Sequence, residues 1–329
     1  MTQKTILSVE DLRTYFFTRA GVVKAVDGVS FTVKEGESLG IAGESGCGKS
    51  ITCLSLVKLV PQPAGRIVSG RVLFEGEDIL TKEEREMRRW RGKKISMILQ
   101  DPLTSLNPCY TVENQVSEPF KIEGTNGGRI NIRGKVIEIL RRVKIPSAER
   151  RMKDYPFQFS GGMRQRVLAA MAIARDPRLL IADEPTTSLD VTIQDQFLRL
   201  LKEMQKENRM GLIMITHDLG IVAETCDRVA IMYAGKIVEK GTVERIFLSP
   251  AHPYTEALME ALPKLEGKSK RLFQIEGEPP NLLQLPEGCS FWPRCHKVME
   301  ICRKESPPMT LLDGGGEASC WLLHEREGM

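Results

Sequence analysis

GESGCGKS, at residues 43–50, follows a short apolar run at 38–42 and opens onto a segment of helical character. It fits the pattern G-x-x-x-x-G-K-S, and its setting gives the fit weight. A strand that runs into a glycine-rich turn and then a helix aims backbone N–H groups at one point, where the helix dipole adds positive potential. Gly43, Gly46 and Gly48 permit the tight curl, and Glu44, Ser45 and Cys47 complete it. This is the chemistry of a phosphate cradle: Lys49 neutralises phosphate charge, the Ser50 hydroxyl ligates Mg²⁺, and Ile51 continues the helix beside a bound nucleotide. A glycine-rich turn that matches by chance is the bland alternative, and the strand-loop-helix context argues against it.

Working outward, apolar runs at 38–42, 95–99, 179–183 and 212–216 read as buried strands, with helical patterns at 161–174 and 193–206 between them. Strands alternating with helices predict an α/β fold whose main sheet is mostly parallel and covered on both faces. Between 101 and 175 the strand signal gives way to loop and helix, which predicts a helical subdomain. Segments 22–33 and 70–74 alternate polar and apolar residues and predict a small antiparallel β subdomain. The composition changes near Pro250, so residues 1–250 are expected to form one domain and 251–329 a C-terminal extension.

The 329 residues carry a formal charge of +4, with 41% hydrophobic and 27% charged residues, and the basic side chains are interspersed with acidic ones. That balance argues against a nucleic-acid partner. The densest basic stretch, 85–94, is broken by Glu86 and reads as a charged surface. No apolar run approaches the roughly 20 residues of a membrane-spanning helix. The N-terminus resembles no signal peptide, so a cytoplasmic location is expected.

A second acid-bearing element supports the nucleotide reading. LLIADE at 179–184 is an apolar strand ending in two acids. Asp183 suits water-mediated Mg²⁺ binding, and Glu184 suits the general base that polarises an attacking water. FSGGMRQR at 159–166 then discriminates among phosphate-loop proteins. It resembles the signature sequence of the ABC ATPases, and the other motifs fall in that family's order: Gln100 as the Q-loop glutamine, 188–190 (Ser-Leu-Asp) as the D-loop, and His217 as the switch histidine. QDPLTSLNP at 100–108 and HPYTEAL at 252–258, with the segment 279–320, resemble the branch of that family that imports peptides or nickel. Met163 stands where most signatures have Gln, a substitution familiar in that branch.

The resemblance implies an ATP-hydrolysing subunit that powers import of di- or oligopeptides, with a nickel importer or a soluble non-transport ABC ATPase as alternatives. Glu184, His217 and Gln100 become the catalytic set, with Gln100 also near Mg²⁺. Ser160, Gly161 and Gly162 would address the ATP of a partner, and Phe16 would stack on adenine, with Tyr15 as the runner-up. Implied partners are a second, different ATPase subunit, two membrane-spanning permease subunits and an extracytoplasmic substrate-binding protein. The chain would lie peripherally on the cytoplasmic face of the membrane. Finally, Cys289, Cys295, Cys302 and Cys320, spaced C-x5-C-x6-C-x17-C, form a four-thiol set in a compartment that disfavours disulfides. A 4Fe-4S cluster is the expectation, zinc the alternative and free thiols the bland reading.

Overall fold

The computed structural model describes residues 4–123, 131–187, 189–262 and 274–324. In chain order the strands are β1 (Thr5–Thr18), β2 (Gly21–Lys34), β3 (Ser38–Ala42), β4 (Gly65–Phe74), β5 (Glu77–Asp78), β6 (Ile95–Ile98), β7 (Leu179–Asp183), β8 (Gly211–Thr216), β9 (Arg228–Tyr233), β10 (Lys236–Thr242), β11 (Thr310–Leu311) and β12 (Glu317–Ala318). The helices are α1 (Lys49–Leu56), α2 (Glu84–Trp90), α3 (Pro102–Ser105), α4 (Val112–Glu123), α5 (Ile132–Arg142), α6 (Ala148–Arg151), α7 (Gly161–Ile173), α8 (Val191–Asn208), α9 (Leu219–Thr225), α10 (Val243–Leu248) and α11 (Pro253–Glu260). The chain forms two compact units, one of residues 1–6, 34–37 and 82–214, the other of residues 7–33, 38–81 and 215–329.

In the first unit β6 and β7 pair in parallel, Ile95 opposite Leu179 and Ile98 opposite Ala182. Every residue of β7 is buried, as the unbroken apolar run at 179–182 demands of a strand covered on both faces. Among the described residues, the stretch 101–175 holds helices and loops and no strand. Within it α7 buries Gly162, Gln165, Val167, Leu168, Ala169, Ala170, Ala172 and Ile173, too wide a surface for an amphipathic stripe. By contrast α8 buries one face, with Phe197, Leu198, Leu200, Leu201 and Met204. The basic stretch 85–94 is more than a solvated surface, because Met87 and Trp90 of α2 are buried in it. Lys82 and Lys94 lie 4.4 and 4.0 Å from the Trp90 ring centroid, so the indole face is covered by cations.

In the second unit an antiparallel sheet runs β2-β1-β4-β5. The extended strand β1 was not evident as a strand in the sequence: its register with β4 slips twice between Glu10 and Thr14, and Asp11 takes φ +47°. Such a bulge breaks the two-residue alternation. A second group of strands runs β3-β9-β10-β12-β11. β3 and β9 are parallel, while β9 with β10, β10 with β12 and β12 with β11 are antiparallel. Thus the C-terminal residues 310–318 add strands beside β10, with Glu239 opposite Ala318 and Lys240 opposite Glu317.

Glu239 ties that edge to the residues that follow. Its carboxylate is fully buried and accepts hydrogen bonds from Ala251 N (2.8 Å), His252 N (2.9 Å) and Arg245 Nη1 (3.1 Å). His252 in turn caps α11, its Nδ1 accepting from Tyr254 N at 3.0 Å. Burial pushes the His252 imidazole down to about 3, so the ring is neutral and its Nδ1 keeps the lone pair that the cap requires.

Candidate functional site: a phosphate loop and an acidic strand end

In the second unit the fully buried β3 delivers the chain to Gly43, and α1 begins six residues later. The N-cap residue of α1, Gly48 with φ +106°, has no side chain to cap the helix, and a helix start of this kind suits an anion. Two glycines are required by close packing. A Cβ on Gly43 would sit 2.1 Å from Met232 O, and one on Gly48 would sit 2.0 Å from Ala25 O. Ser45 and Gly46 are exposed at the tip, while Cys47 is buried and its thiol pushed up by burial. Lys49 lies inside the curl, 5% exposed, where Nζ donates to Gly43 O (2.8 Å) and Glu44 O (2.9 Å). Ser50 and Ile51, half-buried, follow in the first turn of α1. An ammonium surrounded by curled backbone beside an uncapped helix start fits a polyphosphate bound with Mg²⁺.

The same unit carries His217 and the two aromatic candidates. His217 is exposed just after β8, followed by Asp218, whose carboxylate caps α9 through Gly220 N (2.7 Å) and Ile221 N (3.4 Å). Tyr15 donates its hydroxyl to Asp27 Oδ1 at 2.7 Å, and burial together with that bond pushes the phenol up to about 12. Phe16, half-buried on β1, pairs with Gly65 of β4. A Cβ on Gly65 would come within 2.8 Å of the Phe16 ring, so that glycine makes room for the ring edge.

The first unit carries the acids. Asp183 ends β7 and is 5% exposed. Glu184, the next residue, takes φ +43°, an unusual conformation for a side chain of its size. Its Oε2 accepts from Gln100 Nε2 (2.9 Å) and from Thr187 Oγ1 (3.0 Å). Gln100 and Glu184, 84 residues apart, are therefore brought together. Ser160 caps α7, with Oγ accepting from Met163 N at 3.3 Å. Gly161 is exposed, and Gly162 is buried where a Cβ would meet Ile193 Cγ2 at 2.4 Å. Of the D-loop residues, Ser188 lies outside the described residues; Asp190 caps α8 by accepting from Ile193 N at 3.0 Å.

The iron–sulfur expectation is overturned. Cys289, Cys295, Cys302 and Cys320 line a common pocket, but among the described residues no group of three or more His, Cys, Asp or Glu side chains is disposed to hold a metal ion. The same finding removes zinc. The physical reason lies in the pocket walls, which include Pro253, Phe291, Trp292, Pro307 and Leu322. Burial there pushes the thiols of Cys289 and Cys295 up, and that of Cys320 to about 12, so they favour the protonated form rather than the thiolate a metal needs.

Sequence reasoning also missed a partner of the loop. Arg294 forms a two-armed salt bridge with Glu44, at 2.7 and 2.9 Å. The signal was a carboxylate at a variable position of the phosphate loop, and an arginine in FWPRCH, a segment read only for its cysteines.

Comparison with known proteins agrees with this geometry. The ABC transporter family model matches residues 26–187, and that of the oligopeptide/dipeptide transporter C-terminal region matches residues 238–302. The chain is 48% identical over 321 residues to the probable peptide ABC transporter ATP-binding protein y4tR of Sinorhizobium fredii, covering 97% of this chain and 96% of the relative. It is 46% identical to the dipeptide transport ATP-binding protein DppD of Bacillus subtilis, covering 98% and 96%. Among solved structures, the dimeric ATP-binding cassette MJ0796 bound to ADP and Pi superposes with a TM-score of 0.64 at 25% identity, covering 72% of this chain and 98% of that one. CbiO1 of Clostridium perfringens, part of the ABC transporter complex cbiONQ, gives 0.64 at 29% identity, covering 75% and 92%. With near-complete coverage by relatives at this identity, the chain belongs to the ATP-binding proteins of ABC transporters, in the oligopeptide/dipeptide branch.

Proposed function

We propose that this chain hydrolyses ATP to power import of di- and oligopeptides across a membrane. The observation that carries the proposal is the phosphate loop: two glycines whose Cβ atoms would strike backbone oxygens, and a buried Lys49 at an uncapped helix start. The peptide-transport names of the relatives and the matched C-terminal region favour peptides over nickel and over a non-transport ATPase.

Residues 43–51 cradle the phosphates, and Phe16 packs on adenine, Tyr15 being committed to Asp27. Mg²⁺, held by Ser50, Gln100 and, through water, Asp183, would neutralise charge on the phosphates. Glu184 takes a proton from the attacking water, and the Gln100 amide and Thr187 hydroxyl hold its carboxylate in place. His217 contacts the terminal phosphate. Ser160, Gly161 and Gly162 address the ATP of a second, different ATPase subunit, so that each site is shared between two chains. Two permease subunits and an extracytoplasmic binding protein complete the transporter, and the chain sits peripherally on the cytoplasmic face. Among the described residues no helix is long and apolar enough to cross a membrane. Residues 1–250 act as the ATPase domain and 251–329 as its extension.

The test is Glu184→Gln in the assembled transporter. ATP binding should persist while turnover falls roughly 10²–10⁴-fold. Wild-type turnover refutes the role of Glu184, and peptide uptake that proceeds without this chain refutes the function.

A further inference from the structure

Each polar group of Glu44 in the phosphate loop is engaged. Its N–H donates to the Tyr254 hydroxyl (3.0 Å), and its carbonyl accepts from Lys49 Nζ (2.9 Å). Its carboxylate takes both arms of Arg294: Nη1 donates to Oε2 (2.7 Å) and Nη2 to Oε1 (2.9 Å). Two of these three partners, Tyr254 and Arg294, come from residues beyond 250. Beneath them Tyr233, Tyr254 and Phe291 pack ring against ring, with centroids 4.5–5.3 Å apart.

Arg294 is itself rigidly placed. Its side chain is 4% exposed, its Nε donates to Glu276 O (3.1 Å), and Nη1 reaches the Tyr233 hydroxyl (3.4 Å). A two-armed guanidinium–carboxylate pair sets orientation as well as distance. Opening it would strand a buried cation, so the fork holds Glu44 in a single position. Holding Glu44 also places its carbonyl, and through it the Lys49 ammonium.

The geometry points to Arg294 as a positioning residue for ATP: acting through Glu44, it holds the phosphate loop in the curl that receives phosphates, and it couples the C-terminal segment to nucleotide affinity. This rests on the reading of residues 43–51 as the ATP cradle. Coupling of this kind is reciprocal, so nucleotide binding also tightens the C-terminal segment.

The experiment titrates the full-length chain with adenylyl imidodiphosphate and Mg²⁺. Arg294→Ala and Glu44→Gln should each weaken binding on the order of tenfold, within the roughly 5- to 150-fold span of such couplings. The double variant should be no weaker than the worse single one, because both remove one interaction. Arg294→Lys, which keeps the charge but not the fork, should fall between, and it carries the test with Glu44→Gln if Arg294→Ala does not fold. Lys297→Ala, which severs the neighbouring 2.6 Å ion pair with Glu256, should leave binding unchanged. A purely structural Arg294 would lower the melting temperature without reducing the rise produced by the nucleotide; a positioning Arg294 reduces that rise. Wild-type affinity in Arg294→Lys and Glu44→Gln, with binding lost in Lys49→Ala, overturns this inference alone. Wild-type affinity in Lys49→Ala overturns the cradle beneath it.

Discussion

Replacing Glu239 by alanine removes a fully buried carboxylate that serves three donors: the N–H groups of Ala251 and His252, and Arg245 Nη1. Each deserted N–H costs about 1–3 kcal/mol. Arg245, 15% exposed, loses the Glu239 carboxylate but can relax toward water. The expected total is about 3–5 kcal/mol, as for other buried pairs broken from one side. Glu239→Gln separates the contributions. An amide oxygen in the Oε1 position still accepts from Ala251 and Arg245, but the NH₂ group then faces the His252 N–H, so about 1–3 kcal/mol is lost. Urea denaturation of the full-length chain measures both. With a slope of about 2 kcal/mol per M, Glu239→Ala should lower the midpoint by about 2 M and Glu239→Gln by about 1 M. A shift under about 0.5 M for alanine refutes the reasoning, as does a glutamine variant as unstable as the alanine one.

Acidification should destabilise the chain through His252. Its folded value is depressed to about 3 from an ordinary 6.5, so the unfolded state takes up the proton first, and stability present above pH 6.5 is lost as pH falls from there toward 3. Measured as urea midpoint against pH, His252→Asn, which can still cap α11 with its amide oxygen, should flatten that slope; an unchanged slope contradicts it. Gly48→Ala forces a methyl to 2.0 Å from Ala25 O at φ +106°, and should abolish nucleotide binding in a titration or prevent folding. Gly162→Ala, with its methyl 2.4 Å from Ile193 Cγ2, should push α7 from α8 and lower both the melting temperature and the hydrolysis rate of the assembled transporter. An unchanged melting temperature would show that the helices yield without cost.

The strands most legible in the sequence were those whose environment is uniform. β3 and β7 are buried along their whole length, and their apolar runs ended where the strands end. β1 was obscured because its bulge between Glu10 and Thr14 interrupts the alternation that marks a half-buried strand. In β10 the register shift between Ile237 and Glu239 is a similar disturbance. In the site, motif spacing was enough to bring Gln100 to Glu184, since each lies just beyond the end of one of the paired strands β6 and β7. Arg294 was illegible because its partner lies 250 residues away and no local period joins them. The cysteines misled for a related reason: spacing along a chain reports neither side-chain direction nor the apolar walls that keep thiols protonated.

The short strand β12 has a consequence for anyone who would trim this protein. By lying along β10 at Glu239 and Lys240, it occupies hydrogen-bonding groups that would otherwise face outward, and Ser319 N adds a bond to Val238 O at 2.8 Å. A chain cut near residue 250 would therefore be left with a raw sheet margin beside Ile237 and Val238, open to pairing with another copy. Truncation should give sticky material prone to self-association, and a tail bearing no catalytic side chain thereby becomes a condition of solubility.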